Sequence, residues 1–250
     1  MSARYRSTMR LPSSRSFKRC YVLLDFDGTI APDDPTDRLL ERFAEPAWLE
    51  IEAEWQAGRI SSRECMQRHA ELLRATPDAL DAAIETIRID PTFHHFVNFC
   101  RDRSLELTIV SDGFDRVLRA VLKREQLPVR FFANRLEWRG GDRWSLAIPY
   151  AKTDCRSQGA NCKCSHGVGR AGTCVVIGDG RSDFCMAERA DYVIAKDALA
   201  GFCRERGLPH ASFGSFEDVT ARLAEWLEQQ HWSTRRQGAY RREELLGRRT

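Results

Sequence analysis

The sequence predicts an α/β fold: a parallel sheet with helices on both faces and a helical cap inserted after the first strand. Three observations lead to it. Four short apolar runs, Cys20 to Leu24, Leu105 to Val110, Thr173 to Ile177 and Tyr192 to Ala195, read as buried strands, and the first three stop abruptly at polar turns. Between them, Asp115 to Arg124, Ser182 to Arg189 and Phe216 to Glu228 carry apolar residues at three- and four-residue spacing, the period of a helix packed on one side. The stretch from Thr36 to Asp90 is long and charged and holds no convincing strand. Strands that alternate with helices pair in parallel, because each helix returns the chain to the same edge of the sheet.

In chain order, the first strand ends in Asp25-Phe26-Asp27-Gly28-Thr29. The insertion follows, with amphipathic segments at Ser62 to Arg74 and Pro77 to Ile87, and closes where Asp90 is expected to cap a helix starting at Pro91. Residues 34–90 are therefore expected to form the cap, and residues 20–33 and 91–230 the core. Leu105 to Val110 leads into Ser111-Asp112-Gly113, read as the opening of a helix, and Leu136 to Ile148, with Gly140-Gly141 at its middle, reads as an edge hairpin. The third strand ends in Gly178-Asp179-Gly180.

A chain of 250 residues, 42% hydrophobic and 30% charged, can bury one sizeable core, with room for a smaller satellite. Its apolar stretches fall far short of the roughly 20 residues of a membrane-spanning helix, so no membrane role is expected. The net charge of +3 hides an asymmetry: residues 1–19 carry +6 and residues 231–250 carry +4, leaving −7 on residues 20–230. A nucleic-acid-binding domain gathers basic residues on its folded surface, so an acidic body argues against that class, and the basic ends read as solvated, disordered extensions. Nine cysteines, an odd count, without a hydrophobic signal core near Met1 favour free thiols in the cytoplasm, although the acid-free, Arg- and Ser-rich start also suits an organellar transit peptide.

Alternate side chains of an extended segment point the same way, so Asp25 and Asp27 are expected to project together while Phe26 turns into the core. Two carboxylates at one strand end can divide labour between nucleophile or metal ligand and proton carrier. Ser111, Asp112 and Gly113, with a hydroxyl and main-chain N–H groups, suit a phosphate cradle. Asp179 and Asp183 add carboxylates, a hard oxygen environment of the kind Mg²⁺ takes. So many acids require a cation against a phosphate dianion, and either Lys152 or Lys163 would supply it. Singly, each feature has a bland alternative, a solvated strand end, a helix cap or a surface lysine; jointly they describe one site.

In this order, D-F-D-G-T, Ser111, a lysine and G-D-x-x-x-D resemble the four motifs of the haloacid dehalogenase superfamily of phosphatases, over Tyr21 to about Val219. An insertion after the first motif is similar to the cap of the phosphoserine-phosphatase-like branch. Asn161-Cys162-Lys163, Gly178 to Asp183 and Ala187 to Asp191 are more similar still to the methionine-salvage phosphatases acting on 2-hydroxy-3-keto-5-methylthiopentenyl-1-phosphate, which selects Lys163 over Lys152. The resemblance implies a Rossmann-like core, attack by Asp25 on phosphorus, acid and base work by Asp27, and Mg²⁺ held by Asp25, the Asp27 carbonyl and Asp179. Its substrate would be a small phosphomonoester, handled by a monomer or homodimer.

On the cap, Asp34, Arg63, Glu64, Arg68 and His69 are expected to read the leaving group. A phosphoserine phosphatase would offer a cap arginine to the substrate carboxylate, and that position falls on His69, with Arg68 beside it and about 100° round the helix. Phosphoserine is therefore the weaker substrate expectation. A non-catalytic phospholigand-binding module would have lost Asp25 or Asp27, and both are present; transfer of the phosphoryl group to an acceptor other than water stays open. Cys155, Cys162, Cys164 and His166 are candidate zinc ligands without the usual C-x2-C spacing.

Overall fold

The computed structural model describes residues 19–230 except 168 and 170. The two basic ends expected to be extensions thus lie outside the described residues. A seven-stranded sheet runs in the order β4-β3-β2-β1-β5-β6-β7. Its strands are β1 Cys20–Leu24, β2 Glu106–Phe114, β3 Arg130–Gly140, β4 Arg143–Ala147, β5 Thr173–Gly178, β6 Tyr192–Ala195 and β7 His210–Ser212. All pairings are parallel except the β3–β4 hairpin. The hairpin is the edge feature that Gly140-Gly141 predicted.

β1 is apolar throughout and buried throughout, as a central parallel strand covered on both faces must be. The chain leaves β1 toward β2, β3 and β4 on one side and returns to β5, β6 and β7 on the other. That reversal opens a crevice beyond the carboxyl ends of β1 and β5, where open α/β sheets bind ligands. Around the sheet lie α5 Phe93–Asp102, α6 Asp115–Arg124, the single-turn α7 Phe184–Ala187, α8 Asp197–Arg206 and α9, residues 216–230. α6 shows the general rule: Val117, Leu118, Val121 and Leu122 form its buried stripe.

The insertion folds as four helices: α1 Pro35–Phe43, α2 Trp48–Gln56, α3 Ser62–Leu72 and α4 Pro77–Ile84. Asp34, Ser61 and Thr76 cap α1, α3 and α4 by accepting main-chain N–H groups. Leu39, Leu40, Trp48, Leu73, Leu80 and Ile84 share one buried cluster with Val22, Leu24 and Ile109, so the cap is continuous with the core and not a satellite. It also docks on the hairpin and on α6. Ala75 N–H donates to Asp142 (3.1 Å), Trp144 Nε1 donates to Ala75 (2.8 Å), and Arg116 forks Asp81 with two 2.6 Å bonds.

Three local expectations shift, and one strand appears that was not expected. The helix expected from Pro91 begins at Phe93, and Asp90 instead closes the preceding turn through Thr92 N–H (2.7 Å) while accepting Phe216 N–H at the start of α9 (3.1 Å). Ser111-Asp112-Gly113 does not open a helix. β2 runs on to Phe114, its pairing with β3 slipping between Val110 and Phe114, and α6 starts at Asp115. Ser182 to Arg189 divides into a 3-10 turn, Arg181–Asp183, and the short α7. β7, only three residues long, carries too little pattern to be predicted. Among the described residues no helix is long and apolar enough to cross a membrane.

Candidate active site

The Asp25 N–H continues the β1–β5 ladder by donating to Ile177 (2.9 Å), which fixes where its carboxylate emerges. Oδ1 accepts Phe26 N–H (2.7 Å), and Oδ2 lies 2.7 Å from the Lys163 ammonium. Phe26 is fully buried, an anchor worth about 1.5–3 kcal/mol that holds the acids on either side of it at the sheet edge. Asp27 Oδ2 accepts the Ser111 hydroxyl (2.7 Å) and Oδ1 the Thr36 hydroxyl (3.2 Å). Gly28 turns at φ +71°, and a Cβ there would sit 2.5 Å from Asp179 Oδ2, so a side chain is excluded on both counts. Gly113 admits none either, because a Cβ would collide with the Asp27 carboxylate.

Asp183 is completely buried. Its Oδ2 accepts N–H from Asp179 (3.2 Å) and Gly180 (3.3 Å), and its Oδ1 lies 2.7 Å from Lys163 Nζ, which also donates to Ser182 Oγ (2.8 Å). Lys163 reaches this position from a 3-10 turn steered by Asn161, whose Nδ2 donates to the carbonyls of Ser111 and Phe132 (3.0 Å each). The Asp112 carboxylate accepts Asn161 N–H (2.9 Å) and the Ser62 hydroxyl, tying cap to core.

Asp25, Asp179 and Asp183 each place an oxygen within 4.8 Å of the others. Burial, then repulsion from Asp183, raises the Asp25 carboxyl well above the usual range despite Lys163, and the same two causes push Asp179 up to about 6. Burial opposes the charge of Lys163, but Asp183, Asp25 and Asp112 outweigh it and hold its pKa above the lysine norm. Three crowded carboxylates against one ammonium leave excess negative charge. Hard oxygen donors of that kind fit Mg²⁺.

With its folded pKa raised, Asp179 binds a proton in the native chain that the unfolded chain has released, so its contribution to stability falls as pH climbs from about 4 to 6. In chelator, Asp179→Asn should therefore melt higher than the parent at pH 7.5 and no higher at pH 4, and Mg²⁺ should erase the advantage at pH 7.5. Equal thermal shifts at both pH values would contradict this.

These groups floor a cavity of about 470 Å³ between core and cap. Asp25, Asp27, Asp112, Gly113, Lys163 and Asp179 line it, and Ser111 and Asp183 stand directly behind. Of the cap candidates, Asp34 and His69 line it. Arg63, Glu64 and Arg68 do not: Arg63 donates to the Lys152 carbonyl (3.1 Å), and Arg68 pairs with Glu54 (2.9 Å) and Glu64 (3.6 Å). The reason is helical phase. α3 turns Ser62, Cys65, Met66 and His69 inward, the i, i+3, i+4, i+7 face, and Arg63, Glu64 and Arg68 lie off it. Burial pushes Asp34 well up, and brings His69 down to about 4, leaving a neutral imidazole.

Sequence reasoning passed over Thr36, Glu52, Trp55, Arg181 and Phe184, all of which line the cavity. Thr36 was detectable as a hydroxyl beside the first motif; the others arrive through tertiary packing. Cys155, Cys162, Cys164 and His166 are not gathered as a metal set among the described residues. His166 stacks on Phe132 with Nε2 2.6 Å from Asn161 Oδ1, and Cys164 Sγ lies 2.9 Å from Cys185 Sγ.

A sequence profile of haloacid dehalogenase-like hydrolases matches residues 22–188. A 2-hydroxy-3-keto-5-methylthiopentenyl-1-phosphate phosphatase of Geobacillus kaustophilus is 35% identical over 208 residues, covering 81% of this chain and 94% of its own. The protein of the same name from Brevibacillus brevis is 30% identical over 228 residues, covering 85% and 98%. Among solved structures, a phospho-aspartyl intermediate analogue of phosphoserine phosphatase matches with a TM-score of 0.63 at 20% identity, over 82% of this chain and 99% of that one. A substrate-bound phosphoserine phosphatase complex gives 0.64 at 18%, over 84% and 99%; both agree on a Rossmann-like fold. With a profile running from β1 past Asp183 and relatives aligned over most of its length, the chain belongs to the haloacid dehalogenase-like hydrolase family.

Proposed function

We propose that this phosphatase hydrolyses a small phosphomonoester through a phosphoenzyme on Asp25, and that its substrate is a keto-enol phosphate with a methylthio end. The observation that carries the first part is the pairing of Asp25 with the buried Lys163 ammonium at 2.7 Å, with Asp27 beside it on the floor of the same cavity. The incoming phosphate would meet the ammonium of Lys163 and the hydroxyl of Ser111. Asp25, Asp179 and Asp183 would hold Mg²⁺, which when bound offsets the phosphate charge and completes the environment for in-line displacement.

In the first step the Asp25 carboxylate forms a bond to phosphorus as the bond to the leaving oxygen breaks, and Asp27 gives that oxygen its proton. In the second, water attacks phosphorus, the acyl-phosphate bond breaks, Asp27 takes the water's proton, and Asp25 is regenerated. Burial raises the Asp27 carboxyl against the pull of the Ser111 and Thr36 hydroxyls, which suits a group that must hold a proton and then recover one.

The cap wall supports the second part. Trp55 and Met66 of the cap, with Phe184 of α7, give the cavity an apolar side that fits a thioether better than an ammonium and a carboxylate. The names of the two curated relatives point the same way. Among the described residues Arg181 is the only arginine lining the cavity, and it is the group a phosphoserine carboxylate would use. The test is kcat/KM for 2-hydroxy-3-keto-5-methylthiopentenyl-1-phosphate and phosphoserine on one preparation with Mg²⁺. The former should lead by tenfold or more, about 1.4 kcal/mol of transition-state binding, and the reverse order would reassign the substrate.

A further inference from the structure

We propose that Glu52, Cys65 and His69 form a second metal site, a three-ligand seat for a Zn²⁺-class transition ion on the cap wall of the cavity. Each offers one donor atom within 4.8 Å of the other two, and none takes part in the phosphoryl chemistry above. Cys65 Sγ lies 3.7 Å from His69 Nε2 and 3.8 Å from Glu52 Oε2. A tetrahedral zinc with bonds of about 2.3 Å to sulfur and about 2.0 Å to nitrogen or oxygen separates such ligand atoms by about 3.5 Å. The two contacts of Cys65 are therefore within a few tenths of an ångström of coordinating distances before any ion is present, and the donor atoms of Glu52 and His69 lie within 4.8 Å of each other.

The outer hydrogen bonds also match. A hydrogen bond to the main chain of Trp48 and the edge-on packing of the Trp48 indole at 6.1 Å hold the imidazole, whose two nitrogens lie 3.7 and 3.9 Å from Cys65 Sγ. Gln56 Nε2 donates to Glu52 Oε1 (3.1 Å), orienting the carboxylate so that Oε2 is the oxygen facing Cys65. Cys65 and His69 stand one turn apart on α3, and Glu52 enters from α2, so two packed helices hold the set. The donor chemistry separates this seat from the acidic one. A thiol, an imidazole and one carboxylate select a borderline ion such as Zn²⁺ or Co²⁺, whereas three carboxylates select Mg²⁺.

Binding breaks the Cys65 S–H bond, forms a sulfur–metal bond and releases one proton to solvent. All three residues line the cavity, so the fourth position opens toward it, where water or an oxygen of the bound substrate would complete the tetrahedron. The site does not depend on the substrate assignment.

The test is titration of the full chain, stripped with chelator and held in excess Mg²⁺ to fill the acidic site, with Co²⁺ as the probe. One equivalent per chain should develop a thiolate-to-cobalt charge-transfer band with tetrahedral visible bands, and Zn²⁺ should abolish both. Cys65→Ser should remove the charge-transfer band, and Cys162→Ser should leave it. Glu52→Gln, on a half-buried residue and so tolerant of change, should weaken Co²⁺ binding tenfold or more and keeps the test decisive if Cys65→Ser fails to fold. Absence of the band in the parent, its persistence in Cys65→Ser, its loss in Cys162→Ser, or parental affinity in Glu52→Gln would each overturn the site.

Discussion

Asp25→Asn is expected to lower kcat by on the order of 10⁴-fold or more while the chain stays folded. The amide has nearly the shape of the carboxylate and can still accept Phe26 N–H through its oxygen, so the turn after β1 survives. What it loses is the nucleophile. The raised Asp25 carboxyl also means that ionising this group costs the fold free energy, and removing the charge spares it repulsion from Asp183 and Asp179. Asp27→Asn should cost less, roughly 10²- to 10⁴-fold, because proton transfer contributes that much and Asp25 can still attack. With an aryl phosphate, whose leaving group needs no proton, Asp27→Asn should accumulate a phosphoenzyme that intact mass spectrometry detects after acid quench. Near-ultraviolet circular dichroism checks the fold of both variants. An Asp25→Asn enzyme within tenfold of the parent would refute nucleophilic catalysis at this residue.

The sequence was most legible where function is local. β1 and β6 begin and end at the residues where their apolar runs do, and Asp25, Asp27 and Asp179 sit at strand ends because a buried parallel strand must stop where charge begins. Lys163 was reachable only through the likeness of its Asn161-Cys162-Lys163 segment, since nothing in its spacing shows that the chain doubles back to Asp25. The inward face of α3 was in principle readable, as Ser62, Cys65, Met66 and His69 follow the helical period. Arg63, Glu64 and Arg68 lie off that phase and do not line the cavity. Arg181, Trp55 and the docking of Ala75 on Asp142 and Trp144 depend on contacts between distant segments, for which local pattern carries no signal.

Lys163→Met should produce the largest loss of stability of any single change in the site, about 3–5 kcal/mol in chelator, the usual cost of breaking a buried ion pair from one side. The ammonium is nearly inaccessible and lies 2.7 Å from both Asp25 Oδ2 and Asp183 Oδ1. Because its folded pKa is raised, its stabilisation is present in full below the pKa of an unfolded lysine, which includes neutral pH. Methionine fills much of the same volume but leaves Asp25, Asp179 and Asp183 without a buried cation, so the Asp25 and Asp179 carboxyls must take up protons to stay inside. Since the unfolded chain releases those protons near pH 4, the variant should lose further stability as pH rises toward 6 and beyond, more steeply than the parent, whose Asp179 is already displaced to about 6. Adding Asp183→Asn should recover part of the loss, because the second change removes one of the unpaired charges, and Mg²⁺ should recover part by offsetting the others. Urea unfolding at pH 5 and pH 8, with and without chelator, measures all of these. A Lys163→Met chain within 1 kcal/mol of the parent at pH 8 in chelator, by the usual scatter of harmless substitutions, would show that this ammonium does not hold the acidic cluster together.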